Sequence, residues 1–278
     1  MEILLEPPET SKIGEVSFSQ PICTAIQISI VNLLREWGVK PEATIGHSSG
    51  ELAAAYAAKL ITAEDAIIAA YLRGVHATLT QAPGTMIAVA LSVSEAEKIL
   101  AEIDISPDDA VIACINSPES VTLSGKSEPM DVIHGILKQR SILCKRLPTG
   151  GKAYHSPIMK EVGSGYSEAI LEATARSSNG ALALRNGDDK GQRPVMVSSV
   201  TLEQLQPGDI NGSYWQKNLE SPVLFDSAMK HLLSLQFGPE ERHVDCLIEI
   251  GVCEYLSFLL FLFFRLLRLH GVSLSISG

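Results

Sequence analysis

Gly46-His47-Ser48-Ser49-Gly50-Glu51 is the stretch whose residue types and spacing could do chemistry. A serine in a G-x-S-x-G arrangement fits a sharp strand-to-helix turn that exposes Oγ, and glycines on both sides are expected to remove the Cβ clashes of such a turn. The Ala-rich run from Leu52 to Ala58 reads as the helix. Its free N–H groups would point back at Ser48, where negative charge forms during acyl transfer. Ser48 is therefore the candidate nucleophile, and it needs a base. His47 is adjacent, but neighbours on a tight turn point apart. His76, His134, His231, His243 and His270 fall in helical or terminal stretches with no distinctive setting. His155 differs, because it lies in the Gly-rich loop Gly150-Gly151-Lys152-Ala153-Tyr154-His155-Ser156-Pro157, a place where active-site loops gather.

The elements that must position these groups follow from periodicity. Ile22, Ile26, Ile30, Leu33 and Leu34 recur at helical spacing from Pro21 until Gly38. Ala43 to Gly46 reads as a buried strand, and Thr62 with Asp65 as a capping box opening a helix towards Arg73-Gly74. From Thr85 the pattern becomes β-α-β-β-α-β: a strand to Leu91, a helix capped by Ser94 with Glu97, strands at 110–115 and 121–123, a helix through Val132 to Leu137, and a strand at 142–147. That order predicts a ferredoxin-like subdomain inserted into an α/β unit. A helix from Pro157 to Ala175, a polar loop at 177–193, a strand at 195–200, a short helix or turn at 214–219, a helix at 222–235 and a buried strand at 247–251 complete the chain. Alternating strands and helices around the elbow predict an α/β fold with a parallel-sheet, α/β-hydrolase-like core. The expected division is a discontinuous core of 1–84 and 148–251, an insert of 85–147, and an apolar tail of 252–278.

The composition excludes several classes. The 278 residues are 46% hydrophobic and 19% charged, enough for a sizeable core, and the net charge of -10 without a basic patch argues against a nucleic-acid partner. Five scattered cysteines without C-x-x-C spacing suggest reduced thiols and no metal site. The start lacks the pattern of a signal peptide. The apolar stretch 256–267 is shorter than the roughly 20 residues a spanning helix needs, so no membrane anchor and a cytoplasmic location are expected.

Gly46 to Glu51, Tyr71-Leu72-Arg73-Gly74 and Ala153-Tyr154-His155-Ser156-Pro157-Ile158-Met159 together resemble the acyltransferase domain of fungal iterative type I polyketide synthases. Ser19-Gln20-Pro21, the run from Ala113 to Gly125 and the run from Tyr214 to Val223 extend the resemblance from about residue 17 to 251. It implies Ser48 as acylated nucleophile, His155 as general base and acid, and a backbone carbonyl at the position of Asn218 orienting the histidine. It further implies Arg73 gripping a malonyl carboxylate, the Ser49 N–H as half of an oxyanion hole, and His47, Tyr154 and Ser156 around the substrate, with malonyl preferred over methylmalonyl. No bound cofactor is implied; the donor would be malonyl-CoA and the acceptor the phosphopantetheine thiol of an acyl carrier domain, beside a ketosynthase domain. The same elbow in a serine esterase or patatin-like lipase, or in an inactive fragment, is the alternative. The resemblance also implies a first strand with a Gly-Gln-Gly loop ahead of residue 1, and Pro-His after Gly251 where this sequence has Val252-Cys253. A piece of a longer synthase with an aberrant tail is the resulting expectation.

Overall fold

A computed structural model describes residues 5–7, 9–176, 193–238, 243–251 and 273–274. The chain opens with α1 (Val16–Glu36), β1 (Ala43–Ile45), α2 (Gly50–Ala57) and α3 (Ala63–Thr78). Helix α1 starts at Val16, so Pro21 lies inside it rather than at its start. Proline cannot donate to the carbonyl one turn back; packing offsets that loss. A Cβ on Gly74 of α3 would fall 2.4 Å from the Val16 carbonyl oxygen, so the bare glycine lets the first turn of α1 lie directly on α3. Among the described residues α1 is the one helix long and apolar enough to cross a membrane; here it packs on α2 and α3 and buries Val16, Thr24, Ile28 and Val31. Helix α3 opens on the expected capping box, with the Asp65 N–H donating to Thr62 Oγ1 at 3.1 Å and the Thr62 N–H to Asp65 Oδ2 at 3.2 Å. Its buried face is Ala66, Ala69, Ala70, Arg73, Gly74 and Ala77, one cation among small residues.

Strands β2 (Gly84–Val89), β3 (Ala110–Ser117), β4 (Ser120–Lys126) and β5 (Cys144–Arg146) form an antiparallel sheet in the order β3-β4-β2-β5. Two helices cover it, α4 (Val93–Glu102) and α5 (Ser127–Gln139). Together they enclose a core of their own around Ile87, Val89, Ile99, Leu123, Ile133 and Leu137. The cap of α4 is Ser92 with Glu95, not Ser94 with Glu97: both pairs fit the Ser-x-x-Glu pattern, but Ser92 has the extended backbone of a cap (φ -69°, ψ 162°) while Ser94 is already helical. The outer edge of β3 joins the rest of the molecule. The Ile115 N–H donates to the Val223 carbonyl and the Val223 N–H to the Ala113 carbonyl, each at 2.8 Å.

Beyond it come a 3-10 turn (Pro157–Met159), α6 (Lys160–Arg176), β6 (Val195–Val197), β7 (Gln204–Leu205), α7 (Gly212–Glu220), α8 (Phe225–Ser234), β8 (Cys246–Leu247) and β9 (Ser273–Leu274). The expected parallel sheet is mixed: β1 and β6 run parallel with Ile45 opposite Val197, and β7 joins β6 antiparallel. Strand β6 stops short of Val200 because Ser198 Oγ accepts the Val200 and Thr201 N–H groups, both at 3.0 Å, and turns the chain. The strand expected at 247–251 is not part of this sheet. Cys246–Leu247 pairs with Ser273–Leu274, Ile248 is 48% exposed, and a cavity of about 410 Å³ lies between this segment and β1. The polar loop, up to residue 192, and the apolar tail, apart from residues 273–274, lie outside the described residues.

Candidate active site

Ser48 stands between β1 and α2 with φ at 55°, a left-handed backbone that L-residues adopt at a cost and that recurs at functional sites. The two elbow glycines are not equivalent, contrary to the expectation from the motif. A Cβ on Gly46 would meet the Glu51 backbone N at 2.2 Å, whereas one on Gly50 would meet nothing within 4 Å. Only the first glycine is demanded, because there the end of β1 passes under the start of α2.

His155 also has positive φ, 59°, and its N–H donates to the Leu219 carbonyl at 3.1 Å, so the loop before the 3-10 turn is fastened to α7. Its Nε2 lies 2.6 Å from Ser48 Oγ, and Nδ1 lies 2.9 Å from the Ser221 carbonyl. A carbonyl only accepts, so Nδ1 carries the proton and Nε2 is free to accept one from the serine. The main carbonyl on Nδ1 is thus that of Ser221, at the end of α7, three residues beyond the expected Asn218. Ser221 precedes Pro222 in an extended conformation, which aims its carbonyl back at the ring. The Asn218 carbonyl makes a lesser contribution on the same side. Burial, followed by the charges of Arg73 and His47, holds the His155 imidazole well below its usual value, against the pull of these carbonyls. At neutral pH it is an uncharged base.

Arg73 is 1% exposed. Nη2 donates to Ser48 Oγ at 3.2 Å and Nη1 to Asn218 Oδ1 at 2.8 Å. Its Nε is a buried donor without an acceptor, and among the described residues no carboxylate pairs with it. The Tyr154 ring lies with its centroid 5.4 Å from the guanidinium carbon, and the Tyr166 hydroxyl, which donates to the Ala69 carbonyl at 3.0 Å, stands beside it. Ser156 turns away from the reacting atoms: its hydroxyl donates to the Ala153 carbonyl at 2.6 Å and shapes the loop. The Ser49 N–H, at the cap of α2, has no protein acceptor among the described residues. His47 points away from Ser48, as its place on the turn predicts; its Nε2 bonds to Asn116 Oδ1 at 2.8 Å and its ring packs on Phe225. Burial lowers its pKa.

Three participants escaped sequence reasoning. Asn116 on β3 links the antiparallel unit to the elbow through His47 and is steadied by donating to Thr122 Oγ1 at 3.1 Å. Ser221 was hidden because backbone carbonyls leave no trace in residue type. Glu51 is 0% exposed. It accepts from the Ser199 N–H at 2.6 Å, Ser199 Oγ at 3.0 Å, Tyr214 Oη at 2.6 Å and Asn218 Nδ2 at 2.8 Å. Burial pushes its carboxyl above the ordinary range and these donors oppose the shift. An acid directly before a buried Leu-Ala-Ala-Ala run was the available signal. Among the described residues no cluster of His, Cys, Asp and Glu could hold a metal.

The serine–histidine pair at a strand–helix elbow, with a buried cation at the serine, marks this as the candidate active site. The chain belongs to the acyl transferase domain family, whose model matches residues 1–242. It is 44% identical over 254 residues to the reducing polyketide synthase BOA9 of Botryotinia fuckeliana, covering 90% of this chain and 10% of that one. It is 41% identical over 242 residues to the highly reducing polyketide synthase ZEA2 of Gibberella zeae, covering 87% and 10%. The chain thus spans about a tenth of the length of these relatives. Among solved structures it resembles the acyltransferase domain from the second module of the salinomycin polyketide synthase (TM-score 0.73, 26% identity, 96% of this chain and 56% of that one). It shares the fold of a malonyl CoA-acyl carrier protein transacylase from Clostridium perfringens (TM-score 0.75, 21% identity, 96% and 76%).

Proposed function

We propose that this chain loads malonyl units from malonyl-CoA, through an ester on Ser48, onto the phosphopantetheine thiol of an acyl carrier domain in a fungal polyketide synthase. The observation that carries the reading is Arg73: a buried guanidinium beside Ser48 Oγ with no carboxylate partner among the described residues and an unused Nε. A buried donor left unsatisfied is costly, and a carboxylate on the acyl group relieves that cost with charge-assisted hydrogen bonds. The Tyr154 face against the guanidinium narrows the space beside it, in keeping with malonyl over methylmalonyl; one methyl is worth about 1–3 kcal/mol of discrimination. We also read 85–147 as an inserted ferredoxin-like subdomain on an α/β-hydrolase-like core, because those residues carry a core of their own.

The chemistry is ping-pong. Ser48 Oγ attacks the thioester carbonyl as its proton passes to His155 Nε2, and the tetrahedral oxyanion is held by the Ser49 N–H and the start of α2. The Nδ1–H to Ser221 bond steadies the transient imidazolium. Collapse of the intermediate breaks the C–S bond, and His155 returns the proton to the departing CoA sulfur. The carrier thiol then gives its proton to His155, attacks the seryl ester and releases Ser48, which regains the proton. Incubation with malonyl-CoA is expected to add one malonyl group to the intact mass, mapping to Ser48 and lost in Ser48→Ala. An unmodified wild-type chain, or an adduct that survives the substitution, refutes the reading.

A further inference from the structure

Arg73 and Glu51 are both fully buried, opposite in charge and not in contact. Asn218, 0% exposed, stands between them. Its Oδ1 accepts from Arg73 Nη1 at 2.8 Å, and its Nδ2 donates to Glu51 Oε2 at 2.8 Å and to the Ser48 carbonyl at 3.2 Å. Every partner demands the same orientation of the amide, because a guanidinium only donates while a carboxylate and a carbonyl only accept. On the far side of Glu51, Tyr214 Oη lies 2.6 Å from Glu51 Oε2 and 2.9 Å from Ser198 Oγ, and because Ser198 Oγ already accepts two backbone N–H groups, Glu51 is the better acceptor for the phenolic proton. The Ser199 N–H and the Asn218 amide can only donate to Glu51, and the Ser199 and Tyr214 hydroxyls are placed to donate as well, an arrangement that suits a carboxylate and opposes the upward push of burial.

A carboxylate set directly on Arg73 would neutralise the cation but fill the donors that the acyl group needs. An amide between the two charges avoids this conflict. The charges compensate each other at short range in a medium of low dielectric, Nη1 is tied down by the amide oxygen, and Nη2 stays on Ser48 Oγ.

We propose that Glu51 is a positioning residue that acts through the Asn218 carboxamide to hold Arg73 aimed and open, and thereby sets the preference of Ser48 for carboxylated over neutral acyl groups. This rests on the malonyl-transfer reading above. The predicted consequence is a change in selectivity. A carboxylated donor depends on Arg73 for its carboxylate and so on the relay, whereas an acetyl donor has no carboxylate to place there.

The test measures Ser48 acylation by malonyl-CoA and by acetyl-CoA, using intact mass against time, in the full 278-residue chain and its variants. Glu51→Gln keeps the shape but gives the Asn218 amide a donor where it had an acceptor. It is expected to lower the malonyl-to-acetyl ratio of kcat/KM by at least about tenfold, with most of the change in KM for malonyl-CoA. Asn218→Asp places a carboxylate on Arg73 itself and is expected to lower the ratio further. In an Arg73→Ala background Glu51→Gln should leave the ratio where Arg73→Ala alone puts it. A parallel loss with both donors, or an unchanged ratio, in either single variant overturns the relay and leaves Glu51 a structural residue. A wild-type chain that takes no malonyl group refutes the malonyl reading itself, so the two failures are distinguishable.

Discussion

Gly46 and Gly50 look alike in the G-x-S-x-G motif, but alanine should have opposite consequences at the two positions. At Gly46 the new Cβ would lie 2.2 Å from the Glu51 N, 2.4 Å from its Cα and 2.5 Å from the Gly50 carbonyl carbon. These are main-chain atoms that cannot swing aside, so the start of α2 would have to retreat by about 1 Å to restore ordinary contact. Overpacking of this kind costs about 1–3 kcal/mol or more. The same movement carries Ser48 away from His155, now at 2.6 Å, and a 1 Å misplacement costs on the order of 10²-fold in rate. At Gly50 the Cβ meets open space and the residue begins a helix, so alanine should be neutral or stabilise by up to about 1 kcal/mol. Urea unfolding of both variants, paired with acylation rates, tests this. Equal losses at both sites, or a Gly46→Ala chain with wild-type stability and rate, would refute the argument from close approach.

Three further outcomes follow from the site. Since burial and then Arg73 and His47 depress the His155 pKa and the neutral ring is the base, acylation by acetyl-CoA should persist as pH falls through 6.5, the unperturbed value. Arg73→Ala removes one depressing charge and should move the acid limb upward, which a pH profile of single-turnover acylation would show; an unmoved limb contradicts the assignment. Asn116→Ala leaves His47 Nε2 without its acceptor in a buried place and should lower stability by about 1–3 kcal/mol in denaturant titration. Burial pushes the Cys114 thiol up to about 12, so iodoacetamide at pH 8 should spare it in the native chain while labelling exposed Cys246, as peptide mass mapping would reveal.

What the sequence disclosed was mainly what residue type controls locally. The Thr62–Asp65 cap, the run of small residues in α2 and the β-α-β-β-α-β order were readable because caps and periodicity act within a few residues. Ser48, Arg73 and His155 stood out through motif and resemblance, and the structure brings their side chains together. What escaped depended on distant partners or on the backbone. The mixed sheet arises because Ser198 turns the chain after Val197, and 247–251 lies outside the sheet, across a cavity from β1. The orienting carbonyl belongs to Ser221, which only the path of the chain after α7 reveals. Gly50 shows the reverse error: the motif implied a steric demand that the backbone does not make.

The central claim is that Arg73 recognises the carboxylate of the acyl group that Ser48 receives, and comparing malonyl-CoA with acetyl-CoA as donors to the wild-type and Arg73→Ala chains tests it most directly. Hydrogen bonds to charged groups contribute about 1.5–3 kcal/mol each, so losing a pair of them should slow malonyl loading by about 10²-fold or more. Acetyl loading, which has no carboxylate for Arg73 to bind, should fall much less, through the loss of the Nη2 bond to Ser48 Oγ alone. Equal loss with both donors, or malonyl loading that survives Arg73→Ala, would contradict the account.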